Sequence, residues 1–197
     1  MKNLILAFTA LTCVACGSPK ENKEAQTPEQ PVSKESKPPA LNKEVPDEED
    51  GGTMLIGKIN KKAFQKEPYA DWFQANEDFH TLDTATVKKI KPLLKDVKIT
   101  AFMGSWCSDS QREIPALYSI LEYADYNFNR FDLYATDHQK LTEEGYENNL
   151  NIDFVPTIIF YKNGKELGRF VEYAQESLEK DMLTIVSGAD YKHAYEE

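Results

Sequence analysis

The chain has 197 residues, 41% apolar and 11% aromatic, which allows one packed domain plus unpacked segments and is too rich for a wholly disordered polypeptide. Its 33 Asp and Glu outnumber 23 Lys and Arg, and a formal charge of −10 argues against nucleic acid as a partner. Three cysteines cannot build a disulfide scaffold, no metal-type cluster is visible, and no apolar run reaches the ~18–20 residues of a membrane span.

The chain opens with Met-Lys-Asn and then runs almost wholly apolar from Leu4 to Ala15. A basic start, an apolar stretch of about 12 residues and a small residue before a Cys make a secretory signal. Cys16 follows Val14-Ala15 and precedes Gly17-Ser18. This resembles the lipobox of bacterial lipoproteins, in which the Cys is lipidated and becomes the first mature residue; here Cys13 stands where a Leu is usual. The resemblance implies a signal peptide over residues 1–15 and a lipid anchor at Cys16. It places the protein at a membrane of the bacterial cell envelope, facing the periplasm or the outside. Ordinary cleavage, leaving Cys16 as a free thiol, is the alternative. Cys13-x-x-Cys16 has redox-motif spacing but lacks a strand before it and a helix after it.

Residues 16–52 read as the lipidated Cys followed by a disordered tether. Six of the ten prolines lie there, among Glu, Lys, Ser, Gln and Asn, with Val32, Leu41 and Val45 as the large apolar residues. Such a segment cannot bury enough surface to offset its ordering entropy. A flexible chain of about 35 residues spans roughly 30–35 Å, enough to hold a domain off a membrane.

Residues 53–197 read as one domain. A strand is predicted over 54–59, helices over 69–79 and 84–95 with Trp72 and Phe73 packing inward, and an apolar strand over 97–104. A helix follows over 107–124, with apolar Ile114, Leu117, Ile120 and Leu121 on one face. Then come a strand over 128–135, a short helix over 142–150 and a strand over 157–162. Asn163-Gly164 signals a hairpin returning over 166–172. An amphipathic helix over 177–186 closes the domain. Alternating strands and helices, then a hairpin and a helix, predict an α/β domain: a central mixed sheet with helices on both faces.

Chemistry concentrates at Cys107, in Trp106-Cys107-Ser108-Asp109-Ser110 between an apolar strand and a helix. A Cys in the first helical turn faces unpaired N–H groups and the positive dipole end, which favour a thiolate, the reactive form. Val155-Pro156-Thr157 precedes the apolar strand Ile158-Ile159-Phe160-Tyr161, and Lys162-Asn163-Gly164-Lys165 follows it. In this order the three features resemble the thioredoxin family, from about residue 97 to 187 and more loosely back to residue 54. The resemblance implies a thioredoxin-like fold with an N-terminal elaboration. It implies a cis Pro156 packed against Cys107, and a groove at Trp106, Val155 and Thr157 for an extended, disulfide-bearing substrate. Glu113 and Pro115 in Gln-Arg-Glu-Ile-Pro match the helix pattern of the TlpA/ResA branch, membrane-tethered thiol–disulfide enzymes of the bacterial envelope. Pro115 would kink the helix.

The chain departs from the family at three positions. Ser110 replaces the second redox Cys, and the family's buried acid and its partner Lys align at Ala101 and near Leu133. With residues 1–15 removed and Cys16 acylated, Cys107 is the one free thiol. It can attack a substrate disulfide or condense with a sulfenic acid, but an external thiol or redox partner must resolve the adduct. Ser110 could hydrogen-bond the thiolate. Asp109 favours the helix N-terminus yet opposes a nearby thiolate. The expected activity is that of a thiol–disulfide oxidoreductase or isomerase acting on protein thiols or disulfides of the envelope, with no cofactor and no metal. The alternative is a non-catalytic module holding extended segments beside Trp106 and Pro156, with Cys107 inert and Glu113 a solvated helix residue. His80, His138 and His193 read as isolated surface residues, although Asp137-His138 falls at the active-site end of its strand. Tyr146 and Tyr173 read as packing or rim residues. Gly104, three before Cys107 where peroxiredoxins place Thr or Ser, disfavours a peroxidase.

Overall fold

The computed structural model describes residues 40–196; the predicted signal segment, Cys16 and most of the predicted tether lie outside the described residues. Six strands form one mixed sheet: β1 (Lys43–Pro46), β2 (Thr53–Ile59), β3 (Val97–Met103), β4 (Phe131–Ala135), β5 (Thr157–Lys162) and β6 (Lys165–Val171). Their spatial order is β1-β2-β4-β3-β5-β6. β3 and β4 are parallel and the other neighbouring pairs are antiparallel. Four helices join them: α1 (Tyr69–Phe79), α2 (Thr84–Leu93), α3 (Ser108–Tyr123) and α4 (Leu178–Ser187). This is the expected thioredoxin-like α/β architecture.

Local chemistry sets the boundaries. The Asp83 carboxylate caps α2 by accepting from Thr86 N, and Ser177 caps α4 by accepting from Lys180 N. α4 ends at Gly188, whose φ is +76°. α2 stops near Pro92 and passes into a 3₁₀ turn, Leu94–Asp96, where the sequence predicts continuous helix. Asn163 and Gly164, at φ +53° and +78°, make the tight turn between β5 and β6. α3 runs as one element through Pro115.

Period-two alternation along β3 and β5 divides the apolar residues between two cores. Ile99, Ala101 and Met103 of β3 join Ile158 and Phe160 of β5 in the main core, which takes the buried faces of all four helices. Phe102 and Ile159 point the other way, into a smaller core with Ile152 and Val155, ringed by Trp106, Tyr134, Tyr146 and Tyr161. The second face is therefore covered by the 136–156 segment rather than by a helix. The helix predicted over 142–150 is a run of turns instead. Gly145, Asn149 and Asn151 have φ of +71°, +64° and +53°, and Thr142 Oγ1 donates to Glu147 Oε2 at 2.6 Å.

The predicted tether also needs correction at its end. Residues 43–46 pair antiparallel with β2, Lys43 opposite Ile56 and Pro46 opposite Thr53. The intervening Asp-Glu-Glu-Asp-Gly-Gly run closes a hairpin, with Asp47 N donating to Gly52 O at 3.1 Å. At Gly57, φ +76°, β2 turns from β1 to pair with β4.

Candidate functional site

β3 ends at Met103, and Gly104-Ser105-Trp106 carries the chain to Cys107, the N-cap of α3. Cys107 is therefore one position before the helix, not inside its first turn. Its backbone N donates to Gly104 O at 3.0 Å, and its carbonyl accepts the first helical bond from Gln111 N at 2.9 Å. Its sulfur caps no helical N–H. Instead Cys107 Sγ donates to Val155 O at 3.2 Å. The Val155–Pro156 peptide is cis. The half-buried thiol thus lies against the loop that the resemblance pairs with it, and Cys107 is the free cysteine among the described residues.

The other predicted site residues are placed as follows. Ser110 is fully buried, and its Oγ accepts from Gly104 N at 3.1 Å. That bond ties Ser110 to the strand–helix loop and uses its oxygen as acceptor, with the O–H still able to donate. Thr157 is buried and its hydroxyl donates to Phe154 O at 2.7 Å, so it braces the loop from behind. Val155 turns its side chain into the smaller core. Pro156 O accepts from Glu172 N at 2.8 Å, which ties the loop to the end of β6. Ala101 and Leu133, where the family's acid and Lys align, are register partners on β3 and β4, and both are buried in the main core.

Asp109 pairs with Arg112 at 2.7 Å, and Arg112 Nε donates to Glu113 Oε1 at 2.8 Å. Glu113 is 7% exposed, which overturns the solvated reading. Burial pushes its carboxyl up, and the Arg112 guanidinium only partly offsets that. Burial, then repulsion from Asp109, also raises the carboxyl of Glu172, against the pull of Arg112 and Lys140.

Trp106 is enclosed on several sides. Its Nε1 donates to Thr136 O at 3.0 Å. The His138 ring stacks on it with centroids 4.3 Å apart and planes 20° apart. A Cβ on Gly104 would lie 2.5 Å from its Cε2, so only glycine leaves room for the indole. His138 is no isolated surface residue: its Nε2 lies 3.0 Å from Asp47 Oδ1, and an ionised carboxylate only accepts, so that nitrogen carries the proton. His80 and His193 also face acids, Glu179 Oε1 at 3.0 Å and Glu196 Oε2 at 3.8 Å. Asp47 is 5% exposed and accepts from Glu49 N and Asp50 N as well. Burial pushes its carboxyl up, but the bonds from Asp50, His138 and Glu49 outweigh this and hold it below its ordinary value.

Sequence reasoning missed the Asp47–His138–Trp106 chain because Asp47 sits in an acidic run that reads as tether. The usable signal was Gly51-Gly52 between Val45 and the apolar Met54-Leu55-Ile56, a hairpin pattern. Asp47, Asp50 and His138 bring donor atoms within 4.8 Å of one another, the one such grouping of three found among the described residues. The His138–Asp47 hydrogen bond already joins two of the three.

Comparison with known proteins follows the same lines. A family profile described as thioredoxin matches residues 61–186. Thioredoxin Y of rice, a chloroplast protein, is 30% identical over 94 residues, 48% of this chain and 50% of its own. Thioredoxin H2 of Arabidopsis thaliana is 28% identical over 82 residues, 42% of this chain and 57% of its own. The chain spans about half the length of the curated relatives it matches. Among solved structures, a Pseudomonas aeruginosa protein of unknown function superposes with a TM-score of 0.45 at 20% identity, over 61% of this chain and 82% of that one. Oxidised thioredoxin O2 of Arabidopsis thaliana superposes with a TM-score of 0.30 at 19% identity, over 45% and 76%.

Proposed function

The chain belongs to the thioredoxin family, and from that premise we propose that it is a thiol–disulfide oxidoreductase or isomerase working through Cys107 alone, as a lipid-anchored protein of the bacterial cell envelope. One observation carries the catalytic part: Cys107 at the N-cap of α3, with its sulfur 3.2 Å from the carbonyl of the cis Val155–Pro156 peptide. That contact sets the sulfur against the loop that, on the family resemblance, would pair with a substrate strand. The envelope part rests on the signal-like residues 1–15 and Cys16 alone.

In the forward step the Cys107 thiolate attacks one sulfur of a substrate disulfide. The old S–S bond breaks, a Cys107–substrate bond forms, and the other substrate sulfur leaves as a thiolate and takes up a proton. Ser110 supplies no second sulfur. A substrate thiol that attacks the adduct completes an isomerisation with no net electron change. An external thiol that attacks it, and a second that follows, complete a two-electron reduction. A sulfenic acid on a substrate would condense with the Cys107 thiol, releasing water.

A second reading, a module that holds extended segments without turnover, draws support from Ser110. Its hydroxyl is engaged with the Gly104 backbone, as a structural residue would be. Oxidised glutathione separates the two. Incubated with the reduced full chain, it should leave a mixed disulfide on Cys107, released by added thiol and absent in Cys107→Ser, as read by intact-mass and peptide mass spectrometry. Wild-type protein that stays unmodified at Cys107 would sink the enzyme reading and favour the binding module.

A further inference from the structure

We propose that Asp47 and His138 are positioning residues for Cys107, acting through Trp106; this deepens the function proposed above and rests on it. Trp106 immediately precedes the sulfur, and the Gly104–Cys107 turn is closed by the Cys107 N to Gly104 O bond. The indole is the largest side chain in that turn, so whatever fixes the indole fixes the turn. One ring face is covered by His138, the edge nitrogen is bonded to Thr136 O, and the Gly104 Cα leaves no slack behind it.

His138 is itself held from outside its own segment. The turn between β1 and β2 supplies Asp47 to Nε2 at 3.0 Å and Glu49 to Nδ1 at 3.7 Å. Gln139 Nε2 donates to Glu49 Oε1 at 2.9 Å and closes the same contact a second time. Asp50 of that turn is also near, and Lys140 lies 6.0 Å from the indole centroid. Asp47 does not swing, because its buried carboxylate is fixed by two backbone N–H groups of its own turn. With both imidazole nitrogens facing carboxylates, His138 is committed to holding and not to proton transfer at the sulfur. Asp47 lies N-terminal to residues 61–186, the part of the chain that matches the family profile and that holds His138 and Trp106.

The test uses the full chain in a Trp72→Phe background, so that emission reports Trp106. Iodoacetamide modification of Cys107 is timed by mass spectrometry in His138→Ala, Asp47→Ala, their double variant and His138→Phe. The two alanine variants should slow modification by about threefold or more, because a loosened turn no longer holds the sulfur at the N-terminus of α3, where the helix dipole favours the thiolate that reacts. The double variant should be no slower than His138→Ala, since both act on one contact. His138→Phe keeps a ring over the indole without the bond to Asp47, and should match Asp47→Ala in rate. Trp106 emission should shift to the red in His138→Ala and not in His138→Phe. Unchanged rates in both alanine variants, or a His138→Phe protein at the parent's rate while Asp47→Ala is slow, would overturn the proposal. If His138→Ala loses its fold by circular dichroism, Asp47→Ala against Asp47→Asn, which keeps the acceptor, decides in the same way. Failure of the enzyme reading is seen separately, as wild-type protein that oxidised glutathione leaves unmodified while the alkylation ratios still stand.

Discussion

Replacing Gly104 by alanine measures how tightly the Trp106 box is closed. The backbone does not oppose the change, since Gly104 is absent from the positive-φ positions. The new methyl would sit 2.5 Å from Cε2, 2.7 Å from Cζ2 and 2.8 Å from Nε1 of Trp106. Carbon atoms in comfortable contact are about 3.5–4.0 Å apart, so the ring must retreat by roughly 1 Å. It has nowhere free to go, with His138 on its face and Thr136 O on its edge. Overpacking of this kind costs about 1–3 kcal/mol, and loss of the Nε1 hydrogen bond adds about 1 kcal/mol. The lower entropy of the unfolded alanine chain returns about 0.4–1 kcal/mol. The net loss is about 1–3 kcal/mol, which lowers Tm by roughly 3–10 °C for a domain of this size. Thermal unfolding followed by circular dichroism at neutral pH reads it directly. A Gly104→Ala protein as stable as the wild type would show that the indole yields freely and that its surroundings do not confine it.

Three further outcomes follow from the same region. The Glu113 carboxyl is raised above its ordinary 4.5 by burial, so the folded state holds that proton more tightly than the unfolded state. Stability is therefore lost as pH rises from about 4.5 through the folded value, and the loss persists at neutral pH. Glu113→Gln should gain in urea midpoint over the wild type at pH 7 but not at pH 4, and an equal difference at both values would refute the assignment. Ser110→Cys should form an intramolecular disulfide with Cys107, read as loss of free thiol under mild oxidant. Thiols that both persist would show that position 110 does not stand where the family keeps its second sulfur. Ser110→Ala, which leaves Gly104 N without its acceptor, should cost about 1–3 kcal/mol.

The elements that were legible are those whose signals are local. α1 occupies the predicted residues 69–79, because its apolar spacing and flanks agree. β3, β5 and the Asn163-Gly164 hairpin follow from continuous apolar runs and one turn dipeptide. The strand–Cys–helix junction and the Val-Pro-Thr loop were visible for the same reason, and the structure brings them together. What stayed hidden depends on distant partners. β1 is four residues in a polar stretch, and it exists as a strand because β2 is there to pair with it. The turns over 142–150 owe their shape to left-handed residues that helical periodicity does not register. Glu113 and Asp47 carry charges that composition assigns to solvent, yet each is buried against a cationic or polar partner reached only in three dimensions. The direction of the Ser110 hydroxyl likewise follows from the bend at Gly104, which the residue identities alone do not contain.

The short β1 strand has a further consequence, for proteolysis. Leu55 and Ile56, at 0% and 5% exposure, find their strand partners only in Glu44 and Lys43, since β4 pairs with β2 from Gly57 onward. A protease that cut between β1 and β2 and released the arm would leave an apolar edge with unpaired N–H and C=O groups. Such an edge is a template for association with another chain. The same cut would carry away Asp47. A polypeptide trimmed back to Thr53 should then be both sticky and loosened around Trp106, so intactness of the first dozen described residues is a purity criterion for any batch of this protein.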